Sequence, residues 1–235
     1  MTANNSRIKI SREFKESTYN AIPHQYLHHE AIGPYFIPLF GRIYWRRLEI
    51  VLQLGKHYGL KKHLIIGDLG CGFGVLSTLL NVNFDAKVVG IDRRPDFFKI
   101  ADEFCEVSSG KKTSFIVNDL QHLTIKDGTF DLCFCLDVLE HVEDAAVALQ
   151  EIKRVMRSPG HVIITVPIEA RSLQFVREIY SLGGKTAENN PHWRGQIANI
   201  REFEVCLADT FDISLKRCVP NRLVSYDMLY ICSTS

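Results

Sequence analysis

Ile65-Ile66-Gly67-Asp68-Leu69-Gly70-Cys71-Gly72-Phe73-Gly74 is the stretch on which the fold turns. It opens as a short apolar strand, closes that strand with an acidic residue, and runs into a G-x-G-x-G turn. A helical run follows from Val75 to about Asn81. Strand, glycine turn and helix start, in that order, build a pocket for a nucleotide-like cofactor. A side chain at these glycines would hold a ligand away from the backbone. The first N–H groups of the next helix point into the same pocket and favour a carboxylate or a phosphate. Taken alone, the turn leaves the cofactor open.

Outward from this stretch the chain alternates. Strand patterns lie at His63 to Leu69, Lys87 to Ile91, Ser114 to Asn118, Phe130 to Leu136 and His161 to Val166. Helical patterns lie between them at about 73–82, 95–107 and 142–157. Strands separated by helices imply right-handed βαβ units, a parallel sheet, and ligands at the carboxyl ends of the strands. The tail breaks the alternation: a helix near Ile200 to Ala208 precedes two strands, Phe211 to Cys218 and Met228 to Cys232, joined at Pro220-Asn221 without a helix. Such a hairpin places one antiparallel strand in the sheet.

Before the sheet, the first twenty residues or so read as polar, with a mobile start. The segment Ala31 to Gly41 is apolar but interrupted by Pro34 and Pro38, so the helix is expected only from about Arg42 to His57. Residues 1–57 are therefore expected to form an N-terminal extension and covering helix, and residues 58–235 the cofactor-binding domain.

The bulk numbers narrow the class. The chain has 235 residues and a net charge of +1. That length suits one large α/β domain with additions, and a near-zero charge argues against a general nucleic-acid footprint. The seven cysteines include no C-x-x-C pair. They read as reduced, mostly buried thiols of a cytoplasmic protein. Met1 to Lys15 lacks the apolar core of a leader. No run approaches the ~18 apolar residues that span a membrane.

Three further strings carry chemistry. Val88-Val89-Gly90-Ile91-Asp92 is a second apolar strand ending in a carboxylate, eighteen residues beyond Gly74. An Asp at that tip can accept two hydrogen bonds from a ribose diol. After the third strand, Asn118-Asp119-Leu120 offers a carboxylate for an adenine amine and an N–H for a ring nitrogen, or else an ordinary Asn-Asp turn. Finally, the strand Phe130 to Leu136 runs straight into the polar cluster Asp137-Val138-Leu139-Glu140-His141.

With these strings in hand, the chain resembles the class I S-adenosylmethionine-dependent methyltransferases over roughly residues 45 to 218. D-L-G-C-G-F-G, V-V-G-I-D, N-D-L, F-D-L-C-F-C-L-D-V-L-E-H-V and S-P-G-H-V-I-I-T-V-P carry the resemblance. Each string is weak alone; their order and spacing together are specific. The resemblance implies a seven-stranded, mostly parallel, doubly wound sheet with one antiparallel strand and helices on both faces. It implies S-adenosyl-L-methionine as cofactor. Gly70, Gly72 and Gly74, with Cys71 inside the turn, would line its methionine end, and Asp68 would help to hold it. Asp92 would bind the ribose, and Asn118, Asp119 and Leu120 the adenine. The Leu136 carbonyl would lie near the amino group. Arg93 departs from the apolar residue common in the family, but its planar guanidinium can stack on the adenine ring.

Methyl transfer is a displacement by a nucleophile, and a base is required only for an unionised acceptor such as a hydroxyl. His141, at the end of the fourth strand, is one candidate base, and orienting a helix start is the equal alternative. His192, in Asn190-Pro191-His192-Trp193-Arg194, is a second candidate, in a loop where a lid would lie. If Asp137, Glu140 and His141 were helical, they would share a face that could hold a metal ion. The string looks like that of ubiquinone-pathway O-methyltransferases, and like the metal-binding string of small-RNA 3′-terminal 2′-O-methyltransferases. Capping and substrate contact is the preferred reading, with no metal. Tyr26, His28, His29, Tyr35 and Phe36 could cover an acceptor pocket or simply pack a core. Arg42, Arg46 and Arg47 beside apolar residues raise a membrane-surface role as a minor possibility. The expected acceptor is a small molecule or a glycan or lipid intermediate, with oxygen the favoured atom. A metal-assisted RNA 2′-O-methyltransferase, a nicotinamide-dependent oxidoreductase and a non-catalytic cofactor-binding protein are the alternatives. The oligomeric state is open.

Overall fold

The computed structural model describes residues 7–23, 25, 33–36, 38–58, 63–84, 86–109, 113–168, 196, 199–219 and 227–234. They fall into two compact units, one within positions 1–119 and 130–133, the other within 120–129 and 134–235. Seven strands form one sheet: β1 (Leu64–Leu69), β2 (Ala86–Asp92), β3 (Ser114–Val117), β4 (Phe130–Leu136), β5 (Met156–Pro167), β6 (Asp212–Val219) and β7 (Asp227–Thr234). Their order is β3-β2-β1-β4-β5-β7-β6. β7 runs antiparallel to both of its neighbours, while β1, β2 and β3 are parallel. The antiparallel pairing of β6 with β7 at the end of the chain agrees with the hairpin that the sequence predicts; its turn at Pro220-Asn221 lies outside the described residues.

In the first unit, the β1–β2 pairing sets Asp68 opposite Gly90, and the β2–β3 pairing sets Asp92 opposite Val117. β1 is buried along nearly its whole length, so its sequence is continuously apolar up to Asp68. Gly90 is small for a packing reason: a Cβ there would fall 2.6 Å from the Phe115 ring. Helices α3 (Val75–Asn83) and α4 (Phe98–Ser109) follow β1 and β2.

The N-terminal region differs from the sequence expectation. Residues 12–21, expected within a polar start, form helix α1 (Arg12–Ala21). Ser11 caps it by accepting the Phe14 N–H, and Glu13 sits in the first turn, where the helix dipole favours an acid. Phe14 meets the rings of Trp45 and Phe104 edge-on at 6.2 and 5.6 Å. Ile8 and Ile10 are buried, their amides bonded to Gln53 and Glu49. Those few apolar anchors outweigh the polar average of the segment. Helix α2 (Pro38–Tyr58) starts four residues earlier than expected. Proline stands at its first position, where a missing N–H costs nothing and the fixed φ suits the helix. A short 3₁₀ turn, Gly33–Phe36, crosses α2 so closely that a Cβ on Gly41 would lie 2.2 Å from the Tyr35 carbonyl oxygen.

In the second unit, β7 is buried and β6 is largely exposed. Helix α5 (Ala145–Val155) buries Ala145, Ala148, Leu149, Ile152 and Val155, one apolar stripe at helical spacing, and Asp144 caps it by accepting the Val147 N–H. At its other end Arg154 bonds Glu151, Asp127 and the carbonyls of Leu123 and Ile125, pinning the preceding loop. β5 begins at Met156, five residues before the expected start. Ser158 and Pro159 lie within the strand. The Thr234 hydroxyl holds that end, accepting the Gly160 N–H and donating to the Arg157 carbonyl. Helix α6 (Ile200–Thr210) precedes the hairpin and is capped by Asn199.

Candidate functional site

The glycine turn is wired to the tip of β2. The amides of Gly70 and Cys71 both donate to the Ile91 carbonyl, at 2.7 and 3.0 Å. The Gly72 amide donates to Asp92 Oδ2 at 2.9 Å. Asp92 Oδ1 accepts the Arg94 N–H at 2.9 Å, and the Asp92 carbonyl accepts the Asn118 N–H at 3.0 Å. One carboxylate thus fixes the turn after β1 and the turn after β2, and its backbone steadies the end of β3.

Two of the three glycines have distinct jobs. Gly72 has φ +49°, and a Cβ there would meet nothing within 4 Å. Gly74 has φ +74°, and its Cβ would lie 2.9 Å from Ala101 Cβ on α4. Both conformations are left-handed, costly for any residue with a side chain. Gly72 therefore keeps a space open, whereas Gly74 lets α3 and α4 close together.

Asp68 lies under the turn and is 2% exposed. Its Oδ2 accepts the Ser77 hydroxyl at 2.5 Å. Burial pushes its carboxyl up to about 7, the Ser77 hydroxyl opposes this, and the Asp92 charge adds to it. Cys71 is buried in the turn, and burial pushes its thiol well up, with Asp68 and Asp92 adding to the effect. A thiol so placed is kept in its neutral form. Five of the seven cysteines are buried, in keeping with the sequence reading.

Beyond Asp92, Arg93 is exposed. The ordered guanidinium is that of Arg94, 2.8 Å from Asp96 Oδ2 and 4.2 Å from the centre of the Phe97 ring. Phe97 packs on Phe73 with ring centres 4.1 Å apart. Sequence reasoning missed this layer, although the bulky Phe73 between two glycines was a signal for it. Asn118 is buried and Asp119 exposed.

In the second unit, Leu120 is buried and Leu136 half-buried. Asp137 takes a left-handed backbone, φ 55°, rare for a residue with a side chain. Thr165 holds it twice: the Asp137 N–H donates to the Thr165 carbonyl at 3.0 Å, and the Thr165 hydroxyl donates to Asp137 Oδ1 at 2.7 Å. Leu139–His141 is a single 3₁₀ turn. The α-helical face that would have gathered Asp137, Glu140 and His141 around a metal therefore does not form. No group of three or more His, Cys, Asp or Glu among the described residues is arranged to hold a metal ion. Glu140 is buried, and His141, with its side chain 36% exposed, places Nε2 3.8 Å from Glu140 Oε1.

The second candidate base, His192, lies outside the described residues, as do Tyr26, His28 and His29. Tyr35 packs against Tyr44 and Trp45 at 5.2 and 4.9 Å. Phe36 meets Tyr19 at 5.1 Å. Arg47 is buried with its guanidinium 5.1 Å from the Tyr44 ring, and Arg46 pairs with Glu49. A buried Arg47 cannot serve a lipid surface, which removes one of the three cations expected there. No described helix is long and apolar enough to cross a membrane.

Residues 67–164 match the family model described as a methyltransferase domain. Norajmaline N-methyltransferase of Rauvolfia serpentina is 33% identical over 131 residues, 54% of this chain and 44% of that protein. The chloroplastic tocopherol O-methyltransferase of Arabidopsis thaliana is 35% identical over 105 residues, 44% of this chain and 30% of that protein. Among solved structures, the magnesium protoporphyrin IX methyltransferase of Synechocystis, with S-adenosylhomocysteine bound, shares the fold. Its TM-score is 0.65 at 20% identity, over 90% of this chain and 97% of that one. The chain spans less than half the length of these curated relatives.

Proposed function

We propose that this chain, whose residues 67–164 match a methyltransferase domain, transfers a methyl group from S-adenosyl-L-methionine to a small-molecule, glycan or lipid intermediate, with oxygen the favoured acceptor atom. The single observation that carries the reading is the Gly72–Asp92 contact. It sets a ribose-competent carboxylate beside a glycine whose Cβ position opens on empty space.

The residues present fit the cofactor. Gly70 and Gly72 permit close approach of the methionine end, and Gly74 seats α4 under the turn. Asp68 supplies a buried carboxyl for an ammonium group. Asp92 offers its carboxylate to a ribose diol, already oriented by two backbone amides. Asn118, Asp119 and Leu120 are assigned to the adenine, with Arg93 free to stack on the ring. Leu136 offers its carbonyl to the amino group. When bound, the cofactor supplies an electrophilic methyl on a sulfonium; the chain's own part is alignment and exclusion of water.

His141 is the base assigned for a hydroxyl acceptor. Glu140 at 3.8 Å can steady the imidazolium that forms when the ring takes a proton. The relatives include both an N- and an O-methyltransferase, so oxygen rests on this pair alone. The absence of a helical Asp137–His141 face weighs against the metal-assisted RNA reading. The chain is assigned to the cytoplasm on its cysteine usage.

The test is calorimetric titration of S-adenosylhomocysteine into wild type and Asp92→Ala. Two charge-assisted hydrogen bonds at roughly 1.5–3 kcal/mol each predict a loss of at least about a hundredfold in affinity. Binding within threefold of wild type would overturn the assignment.

A further inference from the structure

We propose that Ser77 is a positioning residue for Asp68, and that the Ser77–Asp68–Asp92 arrangement makes cofactor capture at the glycine turn proton-linked. The inference rests on the reading of that turn as the methionine-end cradle.

The geometry comes first. Ser77 is fully buried in the first turn of α3, and its hydroxyl reaches back to Asp68 Oδ2 at 2.5 Å. That bond sets the carboxyl beside the first turn of α3, whose positive end favours an anion. A helix N-terminus with a hydroxyl donor is a setting for an anion. Here, however, the anion has been taken out of water, and a second carboxylate faces it from β2.

The titratable groups around Asp68 can be named by element. β2 contributes Asp92, whose charge opposes ionisation of Asp68. The turn contributes Cys71 and α4 contributes Cys105, both with thiols pushed up by burial and therefore neutral. On the β4 side lies Cys133, beside Gly67 and likewise pushed up by burial. Against these, Ser77 supplies the stabilising bond. The balance leaves the Asp68 carboxyl at about 7, so near neutral pH it is divided between its protonated and ionised forms.

A cationic ammonium brought to this cradle favours the ionised form. Binding then expels the proton that Asp68 carries in the empty protein. The sign follows: affinity falls as the pH drops through 7, approaching tenfold per pH unit below it, and is greatest between that value and the pH at which the ligand's own ammonium loses its proton. Ser77 tunes the midpoint. Without its hydroxyl the carboxyl holds its proton more tightly, so the midpoint moves to higher pH.

The experiment is calorimetric titration of S-adenosylhomocysteine from pH 6 to pH 9, in buffers of differing ionisation enthalpy. The proposal expects release of about half a proton on binding at pH 7, falling towards zero at pH 9. Ser77→Ala should weaken binding several-fold at pH 7 and recover most of the loss at pH 9. Asp68→Asn should remove both the proton release and the pH slope while remaining folded, as shown by its circular dichroism. If Ser77→Ala does not fold, Asp68→Asn alone decides. A wild-type affinity flat from pH 6 to 9 with no proton release would overturn the proposal. So would a Ser77→Ala defect equal at all pH values, the mark of a merely structural role. A complete lack of binding at every pH would instead sink the cradle reading beneath it.

Discussion

Gly74→Ala tests the division of labour within the glycine turn. The new methyl meets two costs. Gly74 has φ +74°, which a residue with a Cβ adopts at a cost of about 1–2 kcal/mol. The Cβ would also stand 2.9 Å from Ala101 Cβ and 3.3 Å from both Ala101 Cα and the Phe115 ring. Two of those three atoms belong to the body of α4 and cannot swing away, so overpacking adds about 1–3 kcal/mol. The variant should lose on the order of 2–5 kcal/mol, read as a urea midpoint lowered by about 1–2 M. Ala101→Gly alone costs about 1 kcal/mol, because glycine weakens a helix interior. Combined with Gly74→Ala, it should relieve the clash, so the double variant is more stable than additivity allows by about 1–3 kcal/mol. Gly72→Ala is the contrast. With nothing within 4 Å of its Cβ, it should lose only about 1–2 kcal/mol of stability yet bind S-adenosylhomocysteine at least about tenfold more weakly. Strict additivity of Gly74→Ala and Ala101→Gly, or a Gly74→Ala midpoint equal to wild type, would refute the reasoning.

Two further outcomes follow from the second unit. His141→Gln should lower the turnover of hydroxyl acceptors by about 10²–10⁴-fold with little change in S-adenosylhomocysteine affinity, followed with methyl-labelled cofactor. Turnover unchanged on such acceptors would remove His141 as the base. Glu151 is held below the ordinary carboxylate range, first by its bond from Arg154. A lowered folded value contributes stability above the ordinary carboxylate range and loses it as the pH falls through the folded value. Glu151→Gln should therefore lower the urea midpoint at pH 7, and the gap to wild type should close as the pH is taken below about 4. A gap independent of pH would mean that the charge is not what matters.

The parts of the fold legible in the sequence were those set by burial on both faces. β1, β2 and β4 read correctly because continuous apolar runs ending in Asp68, Asp92 and Asp137 leave few other readings. The terminal hairpin read correctly because the sequence carries no helical pattern between its two apolar runs. The errors arose where a few residues overrule an average. α1 is polar by composition, but Phe14, wedged between Trp45 and Phe104, fixes it. Helix α2 starts before the expected Arg42 because a proline that breaks a helix interior is tolerated at the first helical position. The start of β5 was missed because Ser158-Pro159 resembles a turn, while the Thr234 hydroxyl that holds it comes from more than seventy residues away. At the candidate site, the sequence pattern put the glycine turn after β1 and Asp92 at the tip of β2, but not the hydrogen bond between Gly72 and Asp92. Spacing could not reveal that Gly74 serves α4, that Arg94 is the guanidinium ordered on Phe97, or that Asp137 turns left-handed onto Thr165. Those facts depend on φ values and on tertiary neighbours that a linear pattern does not carry.

The central claim is that the glycine turn and Asp92 form a cradle for S-adenosyl-L-methionine. Parallel calorimetric titration of the full chain with S-adenosylhomocysteine and with NAD at pH 8 tests it most directly. The account predicts saturable, one-to-one binding of S-adenosylhomocysteine and none of NAD. Binding of NAD without binding of S-adenosylhomocysteine would contradict it.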